Sequence, residues 1–265
     1  MILAVGECDA ENEIICVPET VNELFELPFV GGVNRTILLI ALAAIIVVAL
    51  LYFGIVRQKS RLIPSKFGAF VESLVSFVRD EIAIGIIGPE HGLKYFPWLL
   101  SVFLFVLVGN LFEVTPFINF PITSRIAIPA FLALLTWVIF VVSGFKEQGF
   151  GYLKESLFPP GVPKPLYLLV TPIEFVSTFL VRPFSLAVRL FANLVAGHVM
   201  LSLLLVSGWV FISAQGGIAK IPIGFGWFAL GIGIFVFEII VAMLQAYIFT
   251  LLSAVYVQTS VHPEH

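Results

Sequence analysis

The stretch TILLIALAAIIVVALLYFGIV, residues 36–56, contains no charged side chain and is long enough to cross the hydrocarbon core of a bilayer as one helix. The rest of the 265-residue chain has the same character, since 60% of its residues are hydrophobic and only 12% are charged. A soluble domain carries about 25% charged residues. The composition therefore predicts an all-α integral membrane protein, and its net charge of −3 offers no basic surface for nucleic acid.

Charged residues on either side of this first span predict its orientation. Residues 1–35 form an acidic tail whose only base is Arg35. The loop after the span is basic, and cytoplasmic loops carry an excess of lysine and arginine. We therefore expect an acidic extracytoplasmic tail over 1–35 and a single polytopic membrane domain over 36–265. The bases of the loop are Arg57, Lys59, Arg61 and Lys66.

The tail also holds both cysteines of the chain, Cys8 and Cys16. Too few other ligands lie near them in the sequence for a metal site, so no metal is predicted. Two readings stay open for the pair. The thiols are incidental, or they form a disulfide if the tail faces an oxidising compartment.

Three further segments precede the last hundred residues. In 64–88, apolar residues recur at three- and four-residue steps, which predicts an amphipathic helix lying at the cytoplasmic interface. Segments 93–115 and 126–145 have spanning length, and their connection would lie outside. The lysines at 146, 154 and 164 then fall on the cytoplasmic side, as the same rule expects.

The last hundred residues contain two apolar runs that are too long for ordinary spans. As single helices, 166–213 would extend about 70 Å and 222–258 about 55 Å, against about 30 Å for a bilayer core. No polar turn interrupts either run. We expect two long, strongly tilted helices, giving five membrane-crossing helices in all. Tilt beyond the usual ~20° requires another protein surface. We also expect small residues to let helices approach closely, namely Gly224, Gly226, Gly231 and Gly233, with Ala187, Ala192, Ala196 and Gly197 as a matching face.

Six ionisable residues lie within the apolar runs, where a charge at the bilayer centre costs ~2.5–3.5 kcal/mol on insertion scales. Residues near helix ends can extend their polar groups to the interface, so Glu113, Glu174 and Arg182 are either interfacial or functional. The remaining three lie deeper and are predicted to be functional: Arg189, His198 and Glu238.

The chemistry of these three residues differs. Arginine stays protonated, so Arg189 can attract an anion or repel a cation but cannot relay a proton. His198 and Glu238 can titrate and could pass protons. The alternative is a structural His–Glu hydrogen bond between two helices. Asn193 shares a helix face with Arg189, whereas His198 lies about 180° round and ~13 Å along the axis. Gln245 is nearly aligned with Glu238.

Four stretches resemble one protein family. RPFSLAVRLFANLVAGH (182–198) and FEIIVAMLQAYIFTLLSAVY (237–256) look like subunit a of F-type ATP synthases. GNLFEVTP (109–116) and TPIEFVSTFLVRP (171–183) also resemble that family, whereas the acidic tail carries no recognisable signal.

The resemblance implies roles for the polar residues. Arg189 would be the stator arginine that faces the ring of c subunits, flanked by Asn193 and Gln245, with Arg182 as a supporting residue. His198 and Glu238 would be two coupled channel positions, which many bacterial members fill in the opposite order. Acidic positions that line the aqueous half-channels would be Glu113 and Glu174.

The implied function is proton translocation coupled to rotation of the ring and to ATP synthesis. Expected partners are the c-ring, b-type peripheral stalk subunits and membrane lipid. The chain itself would bind no nucleotide, nucleic acid or cofactor, so it would be non-catalytic for nucleotide chemistry within a proton-transporting ATP synthase. The expected location is a bacterial plasma membrane, with the N-terminus outside and the C-terminus cytoplasmic; the alternative is the mitochondrial inner membrane.

Three other classes fit the composition less well. A secondary transporter usually has two related halves, and the sequence shows no repeat. An ion channel needs a symmetric oligomer and a pore-lining filter. A structural membrane scaffold leaves Arg189 unexplained. Sodium in place of the proton as coupling ion stays open, although nothing in the sequence resembles a dedicated sodium site.

Overall fold

The computed structural model describes residues 15, 34–58, 65–115, 118, 120–158, 163–213 and 217–261, and every regular element in this part of the chain is helical. Of the predicted tail over 1–35, the structure describes only residues 15, 34 and 35, so both cysteines lie outside the described residues. The basic residues 59 and 61 also lie outside them. The main helices in chain order are α1 (Arg35–Gly54), α2 (Lys66–Phe77), α3 (Pro89–Leu111), α4 (Ala127–Gln148), α5 (Gly151–Leu157), α6 (Tyr167–Phe175), α7 (Arg182–Ile212) and α8 (Ile221–Val261).

Within the residues that the structure describes, five helical segments are long and apolar enough to cross a membrane, which confirms the predicted fold class. A π-helical stretch, Val176–Val181, joins α6 to α7, so the first long run forms one segment, Tyr167–Ile212. The second forms the segment Ile218–Val261. Neither run breaks into two spans within the described residues. Their tilt in a bilayer remains a prediction.

The amphipathic segment forms α2 and continues as a π-helix, Val78–Ile87. Its first turn is capped by Ser65, whose hydroxyl accepts a hydrogen bond from the N–H of Gly68 at 3.2 Å. Val71, Val78 and Ile82 are buried, whereas Phe67 and Phe70 are 49% and 57% exposed. The apolar stripe therefore divides between a face packed within the protein and two exposed aromatic rings.

The described residues divide into two compact units. The first comprises the chain up to Leu42 together with Gly109–Ser124 and Ala192–Leu244, and the second comprises Ala43–Val108, Arg125–Phe191 and the chain from Gln245 onward.

In the first unit, the end of α7 and the start of α8 pack closely as antiparallel neighbours. A Cβ added at Gly224 would lie 2.7 Å from the backbone nitrogen of Ile212, and one at Gly231 would lie 2.7 Å from Leu205 Cδ2. On α7, a Cβ added at Gly208 would lie 2.9 Å from the backbone nitrogen of Phe228. Because these positions have no side chain, the two backbones come within contact distance.

The prediction of a glycine-lined approach is thus right for two of the four α8 glycines. Gly226 and Gly233 have no described atom within 4 Å of an added Cβ. Gly224 and Gly231 are seven residues apart and share the face of α8 that meets α7. Gly226 and Gly233 lie on a different face of the same helix. The α7 residues that meet the glycines belong to 204–212, not to the predicted face that begins at Ala187.

In the second unit, α4 packs on the C-terminal part of α8 through polar side chains and through the rings of Phe140 and Tyr256. Thr136 Oγ1 lies 3.5 Å from Ser253 Oγ, and Gln148 Nε2 donates to the carbonyl of Ser260 at 2.9 Å. Helix α5 has only two turns and is not among the helices predicted from the sequence. Its Tyr152 is buried, and its ring occupies the space that a side chain at Gly144 would fill.

The close approach of α7 and α8 generates a paired prediction. Gly224→Ala inserts a methyl group against the α7 backbone and should destabilise the protein by about 1–3 kcal/mol. Gly226→Ala, two residues later and in open space, should be neutral or slightly stabilising because it removes a flexible glycine from a helix. The thermal unfolding midpoint of the detergent-purified chain measures both effects, and equal midpoints for the two variants would contradict this packing.

Candidate functional site

Three titratable residues from separate parts of the sequence meet in the first unit. Glu113, His198 and Glu238 are 1%, 4% and 5% exposed. His198 Nδ1 lies 3.9 Å from Glu113 Oε1, close enough for an ion pair when the imidazole is protonated. Glu238 is near enough to Glu113 for the two carboxylates to interact electrostatically. The predicted pair of His198 and Glu238 is therefore part of a group of three.

Glu113 occupies a turn and not the membrane helix in which the sequence analysis placed it. Helix α3 ends at Leu111, and the N–H of Glu113 donates to the carbonyl of Asn110 at 3.0 Å. The expected segment 93–115 is therefore shifted toward the N-terminus. Burial of Glu113 in this turn argues against the interfacial reading, because the carboxyl group is enclosed by protein and does not extend toward solvent.

Glu238 is positioned by a glycine on the neighbouring helix. A Cβ at Gly197 would overlap the carboxyl group of Glu238, so the carboxyl lies directly against the α7 backbone. His198 follows Gly197 on the same helix. The sequence analysis named Gly197 as a small residue for helix packing, but the group that fills its space is a carboxylate.

A buried loop segment between α3 and α4 completes the surroundings of these groups. All residues of Phe120–Ser124 are buried. The ring of Phe120 meets the His198 ring edge-on at 6.4 Å between centroids, and Thr123 Oγ1 donates to Asn110 Oδ1 at 2.9 Å. Sequence reasoning missed Asn110 and Thr123, because polar residues in a connection give no signal that they are buried.

The two carboxyl groups of the site keep unused hydrogen-bonding capacity. Within the described part of the chain, both carboxyl oxygens of Glu113 and Oε2 of Glu238 are buried without a hydrogen-bond partner. Buried polar groups in such a state are costly unless they serve a function or bind water. Two carboxyl groups and an imidazole in one buried group can hold and transfer protons. No group of three or more histidine, cysteine or acidic residues in the described ranges has an arrangement that could hold a metal ion.

Arg189 and Asn193 lie one helical turn apart on α7, and both are exposed on the surface of the chain. Among the described residues no carboxylate pairs with Arg189. The adjacent Leu190 and Leu194 are buried, so the arginine is on the outward face of the helix and not in a core. The outward face of this apolar helix therefore carries a fixed positive charge.

The remaining predicted site residues belong to the second unit. Arg182 lies over the ring of Tyr256, with its guanidinium carbon 5.5 Å from the centroid, and its Nη1 donates to Thr259 Oγ1 at 3.4 Å. Gln245 is buried at 3% exposure, and Glu174 is partly buried on α6. Arg182 therefore has contacts within the chain, whereas Arg189 presents its charge outward.

Comparisons with known proteins cover nearly the whole membrane domain. The family described as ATP synthase A chain matches residues 37–258. The ATP synthase subunit a of Rhodococcus erythropolis is 39% identical over 87% of this chain and 83% of its own length. The ATP synthase subunit a of a Nocardioides species is 37% identical over 92% of this chain and 87% of its own length. The ATP synthase subunit a of Frankia alni is 40% identical over 96% of this chain and 92% of its own length.

Proposed function

The chain belongs to the ATP synthase A chain family, and from that premise we propose that it is the proton-translocating stator subunit of an F-type ATP synthase. It would provide two aqueous half-channels that load and unload carboxylates on a rotating ring of c subunits. Proton flow would thereby drive rotation and ATP synthesis. Each charge that crosses the membrane gains about 2.3 kcal/mol per 100 mV of potential.

The exposure of Arg189 is the observation that carries this proposal. A permanently charged guanidinium on an apolar membrane helix costs ~2.5–3.5 kcal/mol on insertion scales when nothing compensates it. No described carboxylate of this chain does so. A carboxylate on another subunit would compensate the charge each time the rotating ring presents one. Between such encounters, the positive charge would repel protons and prevent a direct leak from one half-channel to the other.

The buried group of Glu113, His198 and Glu238 supports a proton path through the first unit. These residues can titrate, and the carboxyl groups retain oxygens that can accept a proton or a water molecule. We assign Glu174 to the second half-channel on the resemblance of its segment to the family. Asn193 and Gln245 would flank the arginine, and Arg182 would support the fold at the end of α7 through Tyr256 and Thr259.

The chain is a multi-pass membrane protein, and its relatives in Rhodococcus and Frankia favour a bacterial plasma membrane. We propose that the N-terminal tail over 1–35 is outside, the C-terminus is cytoplasmic and α2 lies at the cytoplasmic interface. Beyond the c-ring, the expected partners are b-type peripheral stalk subunits and lipid.

Loss of the exposed charge is the first test. Arg189→Ala should abolish ATP-driven proton pumping without abolishing assembly, because the ring carboxylate loses its counter-charge. Arg189→Lys should also pump poorly, since a lysine in apolar membrane surroundings loses its proton more readily than arginine and lacks the planar fork. The measurement is pumping by the complete complex in reconstituted vesicles.

Arg182→Ala is the matched control, because Arg182 occupies the same apolar run but contacts Tyr256 and Thr259 within the chain. It should lower stability slightly and leave coupling largely intact. Near-normal coupling in Arg189→Ala, or equal damage from both alanine variants, would refute the role of Arg189.

The coupling of His198 and Glu238 is the second test. Glu238→Gln should slow proton flow in an assembled complex, because the amide cannot take up and release the proton. The double variant His198→Glu with Glu238→His keeps one acid and one imidazole against the same α7 backbone. It should restore more flow than either single exchange. A double variant no faster than the singles would show that the two positions act separately.

Topology provides the third test. Cysteines introduced at Ser60 and His262, which lie outside the described residues, should react with a membrane-impermeant thiol reagent only from the cytoplasmic side. The native Cys8 and Cys16 should react only from the outside, after reduction if they are paired. Modification of Ser60→Cys from the outside would invert the proposed orientation.

A further inference from the structure

The segment Phe120–Ser124 is unusual because it belongs to the connection between α3 and α4, contains only the short 3₁₀ turn Ile122–Ser124, and is entirely buried. Connections normally lie on the surface, since a buried backbone must satisfy its polar groups internally. Here the N–H of Phe120 donates to the carbonyl of Phe112 at 3.4 Å, and both the N–H and the hydroxyl of Ser124 donate to the carbonyl of Pro121, at 3.2 and 2.7 Å. The segment is thereby fixed against the end of α3.

In this segment, the Thr123 hydroxyl contacts the side-chain amide of Asn110. Thr123 and Asn110 are both 0% exposed, and Thr123 Oγ1 donates to Asn110 Oδ1 at 2.9 Å. Because the hydroxyl occupies the amide oxygen, the NH₂ group of Asn110 is the end that remains available. Among the described residues, this NH₂ group has no hydrogen-bond partner.

The next residue with unused hydrogen-bonding capacity is Glu113, on the same turn. Its N–H donates to the Asn110 carbonyl at 3.0 Å, and neither of its carboxyl oxygens accepts a hydrogen bond from a described residue. One buried turn therefore presents a donor and two acceptors that are all unsatisfied. Leaving such groups unsatisfied is costly, and a bridging water needs two to four polar partners of this kind.

We propose that Thr123 is a positioning residue for proton transfer at Glu113. Its hydroxyl holds the Asn110 amide so that the NH₂ group, and not the oxygen, is directed to a water molecule that hydrogen-bonds the Glu113 carboxyl group. The water can then pass a proton to a carboxylate oxygen and receive another from the next water. A free amide could present its oxygen instead, which would leave the carboxylate without a donor. This inference rests on the proposed role of Glu113 in the proton path.

Two substitutions at Thr123 separate the hydroxyl from the shape of the side chain. In the complete complex in vesicles, Thr123→Val should slow proton flow by up to about tenfold, the scale of one lost hydrogen bond between neutral groups, and should move the midpoint of the pH–rate profile. Thr123→Ser keeps the hydroxyl and should restore both quantities to near the wild-type values. A purely structural role would not move the pH midpoint.

Thr136→Val is the matched control. Thr136 is also buried, at 1% exposure, but its hydroxyl donates to the Leu132 carbonyl in its own helix at 2.9 Å. This variant removes the same atoms from a buried threonine and should leave the flow and its pH midpoint unchanged. Equal effects of the two valine variants would overturn the proposal.

Asn110 decides whether Thr123 acts through the amide. Asn110→Ala should slow the flow as Thr123→Val does, and the double variant should be no slower than Asn110→Ala alone. A double variant in which the slowing factors of the two single variants multiply would overturn the proposal. If Thr123→Val prevents assembly, assessed by copurification of the c-ring, Asn110→Ala alone decides, and normal flow in that variant overturns it.

Glu113→Gln distinguishes this inference from the function on which it rests. If Glu113→Gln leaves proton flow unchanged, the proposed path through Glu113 fails. If Glu113→Gln slows the flow while Thr123→Val in the assembled complex behaves as wild type, the path stands and only the positioning role of Thr123 is wrong.

Discussion

Charge and hydrogen-bonding groups are expensive in hydrocarbon, and this cost shapes the whole chain. An arginine at the centre of a membrane helix costs ~2.5–3.5 kcal/mol on insertion scales, and every backbone group must be paired within the protein. The long apolar segments meet the second demand because each is helical. The chain places its charged and titratable groups in two kinds of position. Glu113, His198 and Glu238 are enclosed by protein, whereas Arg189 is exposed on α7 and pairs with no described carboxylate.

Enclosing a carboxyl group between membrane helices requires space, and glycine supplies it. Gly197 leaves room for the Glu238 carboxyl against the α7 backbone, while Gly208, Gly224 and Gly231 let α7 and α8 come into contact farther along the same pair. Glycines on α7 and α8 therefore account both for the close packing of these helices and for the position of the Glu238 carboxyl group. Without the glycines, side chains would separate the helices, and Glu238 would lose the enclosed position beside His198.

The buried connection between α3 and α4 has a comparable effect on the polar side chains. Its Phe120 packs on His198 and its Thr123 donates a hydrogen bond to Asn110, so one short segment contacts two residues of the same polar region. Loops positioned by a rigid scaffold often carry function. Here the scaffold is the end of α3, to which the segment is hydrogen-bonded through Phe112.

The sequence by itself determined the helical membrane fold, the five spans and the existence of two long final helices, because composition, run length and charge asymmetry are local properties of a chain. It also identified Arg189, His198 and Glu238 as unusual, since an ionisable residue in an apolar run is conspicuous without any structure. Only the tertiary structure decided that Glu113 lies in a buried turn beside His198, that Gly224 and Gly231 but not Gly226 and Gly233 meet α7, and that Thr123 holds Asn110. These facts depend on contacts between residues far apart in sequence. Helical periodicity specifies which residues share a face, but it does not specify which other element will pack against that face.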